Sequence, residues 1–214
     1  MKTIESGFSQ PGLGKTATRE TGGILSGREF VQVRFAGTAA QGVVLMGVLL
    51  AMAATRDHRY VAQTQTHGLE ENDVHGHSDV IISDRPVDFP ELQGIDLLVS
   101  LCQGSADAYV GMLGPESVFV YDSQTVTKPP FFDGSSFGIP FSSLAQGVPG
   151  RGEPAADMVA LGATVAIAGV VSPASLRLTL KNLAAEGSRE ARRRALSYGL
   201  RQKPWRWQED LACW

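Results

Sequence analysis

Phe30-Val31-Gln32-Val33-Arg34-Phe35-Ala36-Gly37-Thr38-Ala39-Ala40-Gln41-Gly42, with the apolar run that follows it, decides the fold. Residues 30–36 are rich in β-branched and aromatic side chains with partial alternation, which predicts a strand ending at Gly37. Gly42–Ala54 is rich in Val, Leu, Met and Ala, and is long enough for a mostly buried helix. Between them lies a glycine-bounded turn of six residues, where a dinucleotide fold places its G-x-G-x-x-G.

Outward from that turn, strands alternate with helices. Tyr60–Thr66, Asp79–Ser83, Asp96–Leu101 and Ser117–Tyr121 read as further strands, and Phe137–Phe141 as an edge strand. Ser105–Leu113 reads as a short helix, Ala155–Val171 as a strongly apolar one, Pro173 as the first turn of another, and Ser188–Leu200 as a basic helix. The pattern predicts an α/β, Rossmann-like fold with a largely parallel sheet flanked by helices, carrying N- and C-terminal extensions. Three regions follow: a flexible arm at 1–29, an α/β domain at 30–187, and a basic, Trp-rich extension at 188–214.

Composition narrows the function classes. The chain has 214 residues, 43% hydrophobic and 19% charged, with a net charge of −3, which favours a globular core and gives nucleic acid no overall attraction. Charge is unevenly spread: residues 57–122 carry a net −10 and residues 181–214 a net +4, and all three tryptophans (Trp205, Trp207, Trp214) lie in the last ten residues. Cys102 and Cys213 are the two cysteines. Two thiols cannot ligate a cluster that needs four, and they read as reduced residues of a cytoplasmic protein. Neither an apolar leader nor an 18-residue apolar span is visible in the sequence, which excludes a membrane partner at this level.

Two motifs compete for a ligand. Ser9–Thr16 (SQPGLGKT) imitates a phosphate-binding loop, but Ser9 stands where the first glycine belongs and no strand precedes it. In the glycine turn, Gly37 serves the tight bend and Gly42 the close helix–strand approach. Ala39 replaces the glycine that admits a pyrophosphate, although helix N-terminal amides still attract an anion. The second strand ends Gln63-Thr64-Gln65-Thr66, without the acid that binds a ribose. Asp57 has a suitable sequence distance but lies on the wrong end of that strand. His67, His75 and His77, beside Glu70, Glu71, Asp73 and Asp79, offer metal- or proton-binding types, and no metal is assigned to them.

Val33–Gly42 resembles the G-x-G-G-Q-G opening of the gamma subunits of 2-oxoacid:acceptor oxidoreductases of the pyruvate, 2-oxoglutarate and 2-ketoisovalerate ferredoxin type. His67-Gly68-Leu69-Glu70-Glu71-Asn72-Asp73-Val74 resembles that family's Y-G-P-E-x-R-G-G segment, and Ser78–Ser83 the strand after it. Asp96–Leu101, Ser117–Asp122 and Asp157–Gly162 continue the series, over about residues 30–185. Ala39 and Ala40 replace two family glycines, and Asn72-Asp73-Val74 replaces an Arg-Gly-Gly.

The resemblance implies a complex that decarboxylates a 2-oxoacid with thiamine diphosphate, passes electrons through iron–sulfur clusters and delivers the acyl group to coenzyme A. It implies alpha, beta and ferredoxin-like (delta) subunits as partners, which carry those cofactors. No catalytic residue is expected in this chain. The resemblance points to Gly37, Thr38, Ala39, Ala40, Gln41, Gly42, Gly68, Glu70 and Asn72 as the residues facing the cofactor side. The altered loop admits an aromatic substrate such as phenylglyoxylate. A free-standing dinucleotide-binding dehydrogenase and a ligand-free scaffold subunit remain the alternatives.

Overall fold

The computed structural model describes residues 22–66, 75–148, 155–183 and 186–202. The elements in chain order are β1 (Phe30–Thr38), α1 (Val43–Arg56), β2 (Tyr60–Thr66), β3 (His75–Ser83), β4 (Ile95–Ser100), α2 (Gln103–Tyr109), β5 (Leu113–Asp122), β6 (Ser135–Ile139), α3 (Phe141–Gln146), α4 (Ala156–Ala168), α5 (Pro173–Leu183) and α6 (Glu186–Gly199). Short 3-10 turns at Ala39–Gln41 and Val110–Met112 extend the first connection and α2.

The strands form one sheet in the order β2-β3-β1-β4-β5-β6. β1, β4, β5 and β6 pair in parallel, whereas β3 runs antiparallel to both of its neighbours. Five strands therefore point one way and β3 alone is reversed. The expected largely parallel, helix-flanked sheet is present. Its departure from a simple Rossmann order is the insertion of β3 between β1 and β2.

Burial explains the composition of each strand. Val31, Val33 and Phe35 of β1 pack with α1, α4, α5 and α6 in the larger apolar cluster. Leu98, Phe119 and Tyr121 pack with Ala106 of α2 and Phe132 in a second cluster. On β1, Gln32 and Arg34 alternate with the apolar set and are also buried. Arg34 is compensated by Asp79 of β3 through two bonds, Nε to Oδ1 at 2.7 Å and Nη2 to Oδ2 at 2.6 Å. Such a bidentate pair satisfies the planar guanidinium in a buried setting.

Several boundaries move. β3 begins at His75 rather than Asp79, because Gly76, His77 and Ser78 continue the pairing with β1. The long apolar helix stops at Ala168, where Gly169 takes a left-handed φ of 68°. Phe141–Gln146 is a helix, while the edge strand lies at Ser135–Ile139.

Residues 22–29, read as part of the loose arm, are tied down. Leu25 is buried, and the N–H groups of Ile24 and Leu25 donate to Ile167 and Ala168 O, both at 2.9 Å. Residues 188–202, read as the start of an extension, are likewise packed. Ala195 and Leu196 are buried, and Gly162 of α4 meets Gly199 of α6 at a crossing that leaves no room for a side chain on either. The phosphate-loop imitation at Ser9–Thr16 and the tryptophans lie outside the described residues.

Candidate functional site

The sheet's topology fixes where the site falls. From β1 the chain leaves through α1 on one face, and from β4 through α2 on the other, so the carboxyl ends of β1 and β4 flank a switch point. Crevices at such points are where open α/β sheets bind ligands. Gly37–Gly42 occupies this position.

Gln41 organises the turn. Its Oε1 accepts the Thr38 N–H at 2.7 Å, and its Nε2 donates to Leu101 O at 2.5 Å. The same carbonyl accepts Thr125 Oγ1–H at 2.7 Å, and the Leu101 N–H donates to Ala36 O at 2.9 Å. One carbonyl thus joins the segments that follow β1, β4 and β5. Gly37 is required because a Cβ there would lie 2.7 Å from Gln41 Oε1 and 3.1 Å from Leu101 Cβ. Gly42 has φ of 70° and begins α1, its carbonyl accepting the Met46 N–H at 3.0 Å.

Asp157, at the first turn of α4, closes the other side. In the sequence it opens the Asp157–Gly162 segment, and nothing there marks it as a site residue. Its Oδ1 accepts the Met158 N–H at 2.8 Å, and its Oδ2 rests against Gly42, 2.7 Å from where a Cβ would stand. Burial raises its carboxyl above the ordinary 3.8, opposed by the Met158 amide and by Arg192 of α6. The N-termini of α1 and α4 thus converge on one half-buried acid. The carboxyl takes its backbone hydrogen bond from α4, through Met158 N–H.

Other sequence candidates fall elsewhere. Asp57 accepts from Ser172 N–H, Ser172 Oγ–H and Ser175 Oγ–H, and so braces Ser172, whose Oγ accepts the Ser175 N–H in the first turn of α5, far from any ribose position. His77 packs edge-on against Tyr109, with the phenol oxygen 3.2 Å from Nδ1. The Arg34 guanidinium lies 4.6 Å from the centre of that same ring. Gly68, Glu70, Asn72 and His67 lie outside the described residues, but their loop leaves β2 at Thr66 and enters β3 at His75. Thr38 pairs with His75, which puts the entry to β3 beside the glycine turn, whereas Thr66 pairs with His77 and lies one strand further out. No group of three His, Cys, Asp or Glu among the described residues is placed to hold a metal ion. Nor is any helix among them long and apolar enough to cross a membrane.

The dinucleotide alternative fails on topology. β3 separates β1 from β2 by two strand spacings, roughly 10 Å, so no residue ending β2 stands over the turn as a ribose acceptor requires.

A mostly parallel sheet with one reversed strand inserted beside β1, and a glycine turn at its switch point, defines an α/β domain of the Rossmann-like class. Residues 32–201 match the model of the pyruvate ferredoxin/flavodoxin oxidoreductase family, and the chain belongs to it, as a subunit of the gamma type. It is 32% identical over 171 residues to 2-oxoglutarate synthase subunit KorC of Methanocaldococcus jannaschii, covering 78% of this chain and 91% of that one. The gamma subunit of keto/oxoacid ferredoxin oxidoreductase from Geobacter sulfurreducens superposes with a TM-score of 0.75 at 33% identity, over 85% of this chain and all of that one. The 2-oxoglutarate:ferredoxin oxidoreductase of Magnetococcus marinus, solved with 2-oxoglutarate, coenzyme A and succinyl-CoA bound, shares the fold with a TM-score of 0.68 at 20% identity. The match covers 81% of this chain and 31% of that chain.

Proposed function

We propose that this chain is the gamma subunit of a thiamine diphosphate- and iron–sulfur-dependent complex that oxidatively decarboxylates a 2-oxoacid to an acyl-CoA. The observation that carries the reading is the likeness to the Geobacter gamma subunit, in sequence and fold together, over 85% of this chain and all of that one. The chain's two cysteines are too few for a four-thiolate cluster, in keeping with clusters held by the other subunits. The names of the relatives favour 2-oxoglutarate over an aromatic 2-oxoacid as substrate. Alpha, beta and ferredoxin-like subunits are the partners this reading requires.

Within the complex, Gly37–Gly42 and the loop carrying Gly68, Glu70 and Asn72 face the acyl-carrier side. Coenzyme A supplies the thiol that takes the acyl group. This chain contributes a rigid edge, with the α1 amides and Asp157 setting its charge. Purification from the native cell tests the proposal. Co-purifying subunits, bound thiamine diphosphate and coenzyme A-dependent oxidation of 2-oxoglutarate are expected. A homogeneous single chain that reduces NAD with a substrate would overturn it.

A further inference from the structure

The chain leaving β5 is anchored from several sides. Asp122, buried at the end of that strand, accepts the Gln124 N–H on Oδ1 and the Ser142 Oγ–H on Oδ2, both at 3.0 Å. Its carbonyl accepts the Thr125 and Val126 N–H groups at 3.1 and 2.9 Å. Gln124 Oε1 in turn accepts the Ser143 N–H of α3 at 2.7 Å. Seated by these bonds, Thr125 directs its Oγ1–H to Leu101 O at 2.7 Å, with Asp122 O a longer second acceptor at 3.3 Å.

Leu101 O is also the acceptor that Gln41 uses. A carbonyl oxygen has two lone pairs, and these two donors fill them. The Gln41 carboxamide spans the turn, with Oε1 on the Thr38 N–H and Nε2 on Leu101 O, so the plane of that carbonyl sets the plane of the carboxamide. Thr125 thus bears on Gly37–Gly42 through one intervening peptide. Loss of its hydroxyl costs little in packing or polar satisfaction. Val has the shape of Thr, and Leu101 O keeps Gln41 as a donor, so no buried acceptor is orphaned. What disappears is the second constraint on the carbonyl.

We propose that Thr125 is a positioning residue: by donating to Leu101 O it holds the carbonyl that orients Gln41, and so presets the glycine turn for coenzyme A. This rests on the gamma-subunit reading, in which the turn faces the acyl-carrier side.

The test compares wild type, Thr125→Val and Thr125→Ser with two readouts. Amide hydrogen exchange over residues 37–42 of the full chain reads the turn itself. The KM for coenzyme A and kcat of the reconstituted complex, with 2-oxoglutarate saturating, read its use. Thr125→Val is expected to speed exchange in the turn and to raise the KM for coenzyme A about fivefold, the worth of one neutral hydrogen bond. Its kcat stays near wild type, as for a loss of binding common to ground and transition states, and its melting temperature changes little. Thr125→Ser, which keeps the donor, restores exchange and KM. Exchange and KM both unchanged in Thr125→Val overturn the positioning role and leave the gamma-subunit reading standing. A lowered melting temperature, or faster exchange, with a wild-type KM reduces Thr125 to a structural bond and overturns it as well. A serine variant that behaves like valine does the same. A wild-type complex without coenzyme A-dependent oxidation sinks both readings.

Discussion

Asp157 Oδ2 occupies the space that a side chain on Gly42 would need: a Cβ there would lie 2.7 Å from that oxygen and 3.0 Å from Asp157 Cβ. The contact explains why the residue opening α1 is glycine, beyond its left-handed φ of 70°. Gly42→Ala carries a conformational cost of about 1–2 kcal/mol plus the displacement of Asp157. Urea unfolding of Gly42→Ala, Asp157→Ala and the double variant should reveal coupling, the double costing less than the sum. Strict additivity would show that the two residues do not press on each other.

Asp157 also sets a pH dependence. Its folded-state carboxyl is raised above 3.8 by burial. Its stabilising contribution is therefore fully present below the unfolded value and is lost as pH rises through the raised one. At neutral pH, Asp157→Asn should be at least as stable as wild type, since the amide still accepts from Met158 and buries no charge. The gap should shrink as pH falls toward 3.8. A gap constant from neutral to acid pH contradicts the assignment.

The α4–α6 crossing gives a prediction of definite sign. Gly162→Ala in an isolated helix would gain roughly 1 kcal/mol of propensity. Here the new methyl meets the backbone of Leu196 and Leu200. The helices must part, and a net loss of about 1–3 kcal/mol is expected, read as a lower melting temperature and earlier tryptic release of α6. A more stable variant would mean that the helices are not in contact at this point.

Arg34 and Asp79 form the buried ion pair of the sheet, their side chains only 10% and 8% exposed. Asp79→Ala leaves a guanidinium buried without its carboxylate and should cost about 3–5 kcal/mol. Arg34→Met/Asp79→Leu removes both charges and should cost less. Urea midpoints that rank the double variant below the single would refute this.

Residues 22–29 should resist protease. Arg28 donates to Asp96 Oδ1 at 3.2 Å, and its N–H donates to Leu25 O. Trypsin acting on the free chain is expected to spare Arg28, and rapid cleavage there would contradict the packing of Leu25 under α4.

The β1–turn–α1 unit was legible because its pattern changes from alternation to a continuous apolar run at Gly37–Gly42, and local chemistry alone sets such a change. Strand order was not legible. β3's place rests on a long antiparallel register with β1, from Phe30 with Ser83 to Thr38 with His75, and no periodicity encodes such a distant pairing. α6 reads as a basic helix of an extension because Arg192-Arg193-Arg194 dominates its sequence, while the small residues facing α4 are quiet in sequence. Gln41 was chosen for its position in the motif. Its partner Leu101 and the acid Asp157 were missed because the turn recruits them through the fold from distant segments.

The reversed strand has an evolutionary consequence. Because β3 runs against β2, the loop between them starts at Thr66 and ends at His75 on adjacent, hydrogen-bonded strands. Lengthening such a closed hairpin costs only a logarithmic increment of entropy, about 0.6 kcal/mol per doubling, and moves neither anchor. Residues 67–74 can therefore be rewritten, extended or trimmed among relatives while the six-stranded scaffold stays fixed. Change in the length of that connection need not rebuild the domain that carries it.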